Sequence, residues 1–194
     1  MEGDTYQGRI ETIICLTEEL MPKLPYHNFR HAFDVYLAVS TLALLWGVSY
    51  EDMFLLRTSA LLHDIIFVPR MKDNEEKSAE FAKQYLLGID YSVEQTEKVG
   101  KLVLATKMPQ NPNYFLEKIL CDADLDNLGR PDFFELGEKL RIELGLLDNE
   151  KWYQQQLQFL RNHHYHTEIA RKLRDPGKAV NIKRLKELLQ EVKC

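Results

Sequence analysis

Apolar residues recur along most of the chain at intervals of three and four, the period of a helix face packed on a core. No stretch sustains the strict alternation of a half-buried strand. Ile10, Ile13, Ile14 and Leu20 make the first stripe, with Asp4 or Thr5 as candidate caps, and Met21-Pro22 and Pro25 break it. A second helix is predicted from Asn28 to Gly47 along Val35, Val39, Leu42 and Trp46. A third starts after Ser49, runs through Leu55, Leu56, Ala60, Leu61 and Leu62 to about Ile66, and is closed by Pro69. Asp73 or Asn74 caps a helix reaching Gly88, and Ser92 caps another through Val99, Leu102 and Val103. Met108 to Asn113, MPQNPN, is a loop. Helices follow at Tyr114 to about Cys121, Asp132 to Leu144, Asn149 to Asn162 and His164 to Leu173. The DPG of Asp175 to Gly177 reads as a turn before a last amphipathic helix through Ile182, Leu185, Leu188, Leu189 and Val192. That helix is expected to pack on its own chain rather than form a dimer seam. The pattern predicts an all-α bundle of nine or ten helices, one domain over residues 1–194. Trp46 and Trp152 fall on core faces.

Composition agrees. Only 9 Gly and 7 Pro interrupt 194 residues, below ordinary usage. The net charge of −5 argues against a binder of nucleic acid polymers, which needs clustered Lys and Arg. The most apolar run, Tyr36 to Tyr50, is shorter than the roughly 20 residues of a membrane span. The first twenty residues mix acids with apolar residues, unlike a signal peptide. Cys15, Cys121 and Cys194 are far apart and form no CxxC, so free thiols in a reducing compartment are expected. The expectation is a cytoplasmic protein without membrane contact.

GxGxxG, GxxxxGK[ST] and GxSxG are absent. HNFRH, His27 to His31, has Asn28 where a zinc protease carries its general base. What is present is a spaced set: His31, His63-Asp64 and Asp124, each on or beside an apolar helix. An Asp in such a setting needs a partner, and a cation supplies one while accepting imidazole nitrogens. Asp124 stands with Asp122 and Asp126, which repel unless a cation or water intervenes. Taken singly, each residue has an ordinary explanation as a cap, a satisfied core histidine or a solvated turn. The combination is far more specific. His163, His164 and His166 form another dense group, whose simpler explanation is a polar helix start with one ring packed inward.

The set resembles the signature of the HD superfamily of metal-dependent phosphohydrolases. YHNFRHAFDV (Tyr26 to Val35) and CDADLDNLG (Cys121 to Gly129) resemble segments of cyclic nucleotide phosphodiesterases. HDIIFVPRMKDNEEKSAEFA (His63 to Ala82), with DADL and HTEIAR, is closer to small bacterial predicted HD phosphohydrolases. The resemblance spans Tyr26 to Arg171. It implies that His31, His63, Asp64 and Asp124 hold a divalent ion (Mn, Mg, Fe, Zn, Ni or Co), with Asp64 also placed to bridge to a second. It implies His27 as the acid that protonates the leaving oxygen after attack by metal-activated water, and Glu75, in a pattern with Ser78, as a partner of bound water. No histidine lies between Asp64 and His163, which departs from several two-metal branches and leaves the second metal open. Arg30, Arg70, Lys72 and, foremost, Lys107 are candidates for the substrate phosphate by their nearness to the motifs. The implied substrate is a small phosphate ester, a nucleotide or related metabolite, mono- or diester, and the protein a monomer or homodimer. A non-catalytic metal- or nucleotide-binding regulatory module is the main alternative, disfavoured by the intact His27. An HD-fold di-iron oxygenase would need further ligands.

Overall fold

The computed structural model describes residues 2–192, which form nine α-helices, one 3-10 turn and no strand. Cys194, expected as a free thiol, lies outside them; Cys15 and Cys121 are free. No helix of the described residues is long and apolar enough to cross a membrane.

Helix α1 (Glu2–Leu20) is already under way at Asp4 and Thr5, so neither caps it. Asn28 caps α2 (Phe29–Trp46): its Oδ1 accepts the N–H of Arg30 at 2.8 Å and of His31 at 3.4 Å. Gly47 closes α2 at φ +71°, a left-handed position open to glycine. Ser49 caps α3 (Tyr50–Leu62), accepting the Asp52 N–H at 3.0 Å. Trp46 turns out of the core: it is 38% exposed and meets Phe115 edge-on at 5.1 Å.

Helix α3 stops at Leu62, short of Ile66, because α4 (Asn74–Leu87) offers the next residues other partners. The Ser78 hydroxyl accepts from Ile66 N–H and donates to Ile66 C=O, both at 3.1 Å. Asn74 accepts from Val68 N–H at 3.0 Å and donates to Val68 C=O at 3.1 Å. Asn74 is therefore a buried clamp rather than a cap, and Asp73, at the cap position, makes no capping bond. Ser92 and Gln95 form a reciprocal capping box on α5 (Val93–Ala105). Helix α6 (Phe115–Asp124) runs three residues past Cys121 into the short 3-10 turn Asp126–Gly129. Then come α7 (Phe133–Glu143), α8 (Asn149–Asn162) and α9 (Glu168–Glu191).

The expected break at DPG is absent, and α9 continues through Pro176. Proline withholds an N–H from the Lys172 carbonyl, yet close packing keeps the helix whole. A Cβ on Gly177 would lie 2.0 Å from the Gly129 carbonyl oxygen, and one on Gly129 would lie 2.3 Å from that of Arg174. The glycines let α9 cross the 3-10 turn in near backbone contact. They are a packing device, not a turn signal.

One hydrophobic cluster runs from Ile10 and Ile13 of α1 to Leu185 of α9, which packs on its own chain. Its centre is α3, packed on α1, α2, α5 and α6. Leu55, Leu56, Leu61 and Leu62 are wholly buried, each stabilising the fold by about 1.5–3 kcal/mol. This packing fixes the end of α3 against the start of α2 and the end of α6.

Candidate metal centre and its cavity

Those three helix ends each deliver a side chain. His31 comes from the first turn of α2, His63 and Asp64 from the exit of α3, and Asp124 from the last position of α6. His31 Nε2 and His63 Nε2 lie 3.3 Å apart. Asp124 Oδ1 is 3.5 Å from the first and 3.4 Å from the second. Asp64 Oδ2 sits 3.6 Å from His31 Nε2 and 3.1 Å from His63 Nε2. Donors bound to one ion at about 2.0–2.2 Å lie roughly 3.0–3.5 Å from their neighbours. His31, His63 and Asp124 offer ligand atoms all within 4.8 Å of one another, a group that could hold a metal ion.

The surrounding bonds aim these donors. His63 Nδ1 lies 2.8 Å from the Ala60 carbonyl and donates its proton there, so Nε2 is the nitrogen that faces the centre. Gln110 Nε2 donates to Asp124 Oδ2 at 3.1 Å, leaving Oδ1 to face the histidines. Burial, which lowers the His63 pKa, is outweighed by the Asp64 and Asp124 carboxylates, and His63 is held well above the usual histidine range. Burial likewise raises Asp64 and Asp124, but the neighbouring histidines hold both below the usual carboxylate range. The cluster is built around shared positive charge. Two imidazoles and two carboxylates at these separations fit a divalent ion of borderline hardness.

His27 stands beside it. Its Nε2 is 3.9 Å from Asp64 Oδ2, and its ring stacks on Phe67 at 3.6 Å and 14°. Its Nδ1 bonds Glu143, at the end of α7. Glu143 also accepts the backbone N–H groups of Tyr26 and His27, both at 2.9 Å. Burial raises the Glu143 pKa, but the His27 ring and these N–H groups win and hold it below the usual range. The sequence reading misses Glu143 and Gln110. Glu143 carries one signal: an acid at a helix C-terminus faces the negative end of the dipole and needs compensation. Gln110 carries none.

A cavity of about 460 Å³ opens onto the centre. His27, His63, Asp64, Glu75 and Asp124 form its floor. Phe67, Phe133, Trp152 and Phe159 give it aromatic walls, and Asn127, Gln155 and Gln156 supply carboxamides. Burial, then the nearby Asp64, raises the Glu75 pKa.

Other candidates go elsewhere. Lys107 pairs with Glu76. Arg30 lines an adjoining cleft of about 70 Å³ with His31, Arg130 and Lys139. Lys72 is exposed and lines neither space. Arg70 donates to the Leu144 carbonyl at 2.7 Å. None of the four lies among the residues of the cavity, because each sits on an outward face or already has a partner. The acidic group also separates. Asp122 accepts the N–H groups of His166 and Thr167 at 2.7 and 2.8 Å, and Asp126 accepts from Arg174 at 2.6 Å. Ser78 holds the loop after Asp64 and does not line the cavity. The late histidines diverge: His164 Nδ1 bonds the Asn162 carbonyl at 3.0 Å, His166 uses its backbone, and His163 packs on Tyr165.

Residues 28–127 match the family model of the HD domain. No curated protein matches the sequence. Among solved structures, Bacillus subtilis YpgQ in complex with ADP superposes with a TM-score of 0.73 at 16% identity, covering 96% of each chain. A predicted HD superfamily hydrolase from an uncultured Thermotogales bacterium gives 0.64 at 22% identity, over 93% of this chain and 91% of that one. Lin1889 from Listeria innocua gives 0.65 at 15% identity, over 95% and 97%. At these identities the likeness is one of fold.

Proposed function

The chain belongs to the HD domain family, and from that premise we propose that it is a metal-dependent phosphohydrolase acting on a small, nucleotide-related phosphate ester. The observation that carries the proposal is the convergence of His31 Nε2, His63 Nε2 and Asp124 Oδ1, with Asp64 Oδ2 beside them, where His63, Asp64 and Asp124 line a ligand-sized cavity and His31 lines the cleft beside it. These four residues are the proposed ligands of a single divalent ion. When bound, such an ion supplies Lewis acidity toward a phosphoryl oxygen and makes water a nucleophile near neutral pH.

The protein's own groups do the rest. His27 presents Nε2 to the cavity while Glu143 holds Nδ1–H, an arrangement suited to delivering a proton to a departing oxygen. Glu75 offers a half-buried carboxylate on the same floor to orient water. Phe67 fixes the plane of the His27 ring. The ADP bound to Bacillus subtilis YpgQ supports a nucleotide-like ligand here. The continuous core from α1 to α9 supports one domain serving one site.

The test is a metal-by-substrate screen. Protein is stripped and reloaded with Mn, Mg, Co, Ni, Zn or Fe. Phosphate release is measured from nucleoside mono-, di- and triphosphates, and ring opening from cyclic nucleotides. Metal-dependent turnover lost in Asp64→Ala is expected. Tight metal binding with no turnover across the panel favours a binding module, and no metal binding overturns the proposal.

A further inference from the structure

The cavity has a one-sided chemistry. Its walls are aromatic and aliphatic, its neutral polar groups are mainly carboxamides, and no lysine or arginine among the described residues lines it. Its volume of about 460 Å³ falls within the roughly 300–1,000 Å³ of small-ligand pockets. Its charged floor is acidic apart from imidazole: Asp64, Asp124 and Glu75. One divalent ion offsets two of those carboxylates. A phosphate at the ion adds about two further negative charges, and each phosphate beyond it adds at least one more. Burying that charge without a partner is costly.

The adjoining cleft offers poor relief. It shares Tyr26 and Asn127 with the cavity and reaches the proposed ligand His31, but measures only about 70 Å³, and its Lys139 pairs with Glu135 at 2.7 Å. Its Arg130 is already held by Asp34 at 2.6 Å and by Asp132.

We propose that the cavity selects the monophosphate ester of a flat heterocycle, a nucleoside monophosphate in chemical class, and discriminates against di- and triphosphates. The phosphate meets the metal centre. The heterocycle lies between the aromatic walls, Trp152 among them, with its polar edge toward Gln155 and Gln156. The position of the phosphate rests on the metal-dependent reading above; the preference for the body rests on the walls.

Trp152 is the natural reporter, since the other tryptophan, Trp46, lies against Phe115 and does not line the cavity. In metal-loaded Trp46→Phe protein, with free metal in excess of nucleotide, Trp152 emission is titrated with AMP, ADP, ATP and ribose 5-phosphate. AMP should bind at least about 10-fold more tightly than ATP. Ribose 5-phosphate, lacking the base, should bind at least about 5-fold more weakly than AMP, as a base–aromatic stack of about 1–3 kcal/mol requires. Gln156→Leu, a change at a half-buried position of the cavity wall on α8, should weaken AMP by about 5-fold or more. ATP binding as tightly as AMP overturns the inference, and loss of that binding in Arg30→Ala would show the tail entering the small cleft. Ribose 5-phosphate binding as tightly as AMP also overturns it. Phosphate release is measured separately. No release with the AMP preference intact sinks the phosphohydrolase proposal alone, whereas turnover of triphosphates over monophosphates sinks this inference alone.

Discussion

Glu143 holds His27 by both its backbone and its ring, across 116 residues of sequence. The backbone bond sets where His27 stands and the ring bond sets which nitrogen faces the cavity. Glu143 thus acts as a positioning residue through His27, and its other bond, to the Tyr26 N–H, is to backbone.

Glu143→Ala should therefore leave metal stoichiometry unchanged. It should lower kcat by about 10²-fold on alkyl phosphates, within the range of a lost general acid, and much less on a nitrophenyl ester whose leaving group needs no proton. Glu143→Gln, which keeps the shape, should recover part of the loss. Equal losses on both ester types would remove His27 from proton delivery.

The proposed ligands predict a graded metal series. His63→Ala, Asp64→Ala and Asp124→Ala should each abolish bound metal with helix content intact by circular dichroism. Gln110→Ala, which only frees Asp124 Oδ2, should weaken metal affinity by about 10–100-fold. Metal should raise the Tm of the wild type, by about 2.7 kcal/mol of stability at one hundred times Kd, and leave the three Ala variants unmoved. Unchanged metal content in all four variants would relocate the site.

What the sequence discloses here follows from how far each interaction reaches. Asn28, Gly47, Ser49 and Ser92 are readable because each acts on backbone within three or four residues. The set His31, His63-Asp64 and Asp124 is readable as a spaced pattern beside apolar helices. The partners that aim it are not: Glu143 and Gln110 reach it through tertiary folding alone. Local chemistry also misleads where packing overrides it, as at Pro176-Gly177. The phosphate candidates lie outside the cavity for a related reason. Nearness in sequence to a motif says little about which face of a helix a long cationic side chain takes.

Opposite outcomes are expected at that Pro-Gly pair. Helix propensity alone would make Gly177→Ala stabilising by about 1 kcal/mol. The clash of the new Cβ with the Gly129 carbonyl reverses the sign, and a loss of roughly 2–4 kcal/mol should appear in urea unfolding. Pro176→Ala, which returns an N–H to the helix, should be neutral or stabilising. A stabilised Gly177→Ala would mean that α9 and the 3-10 turn are not in contact in solution.

His163 sets an acid limit. Its Nδ1 faces the Lys178 ammonium at 3.4 Å, and its buried Nε2 has no hydrogen-bond partner among the described residues. Burial, then Lys178, pushes its pKa down to about 3. In the unfolded chain it titrates near 6.5, so the unfolded state binds the extra proton between these values. The contribution is complete above about pH 6.5 and is lost as pH falls toward 3. The slope is at most about 1.4 kcal/mol per pH unit, less for a ring that keeps some contact with water. His163→Phe should shrink the Tm difference between pH 7 and pH 5. An undiminished difference would assign the acid sensitivity to other groups.

The floor of the cavity and most of its wall come from different stretches of the chain. The proposed ligands end at Asp124, whereas Phe133, Trp152, Gln155, Gln156 and Phe159 all follow on α7 and α8. These later residues lie beyond the segment 28–127 that defines the family match. Selection can therefore rewrite the later stretch without disturbing the earlier one. Relatives sharing the donor set are free to diverge in what they bind, and ligand choice should track residues 133–159 more closely than the signature itself.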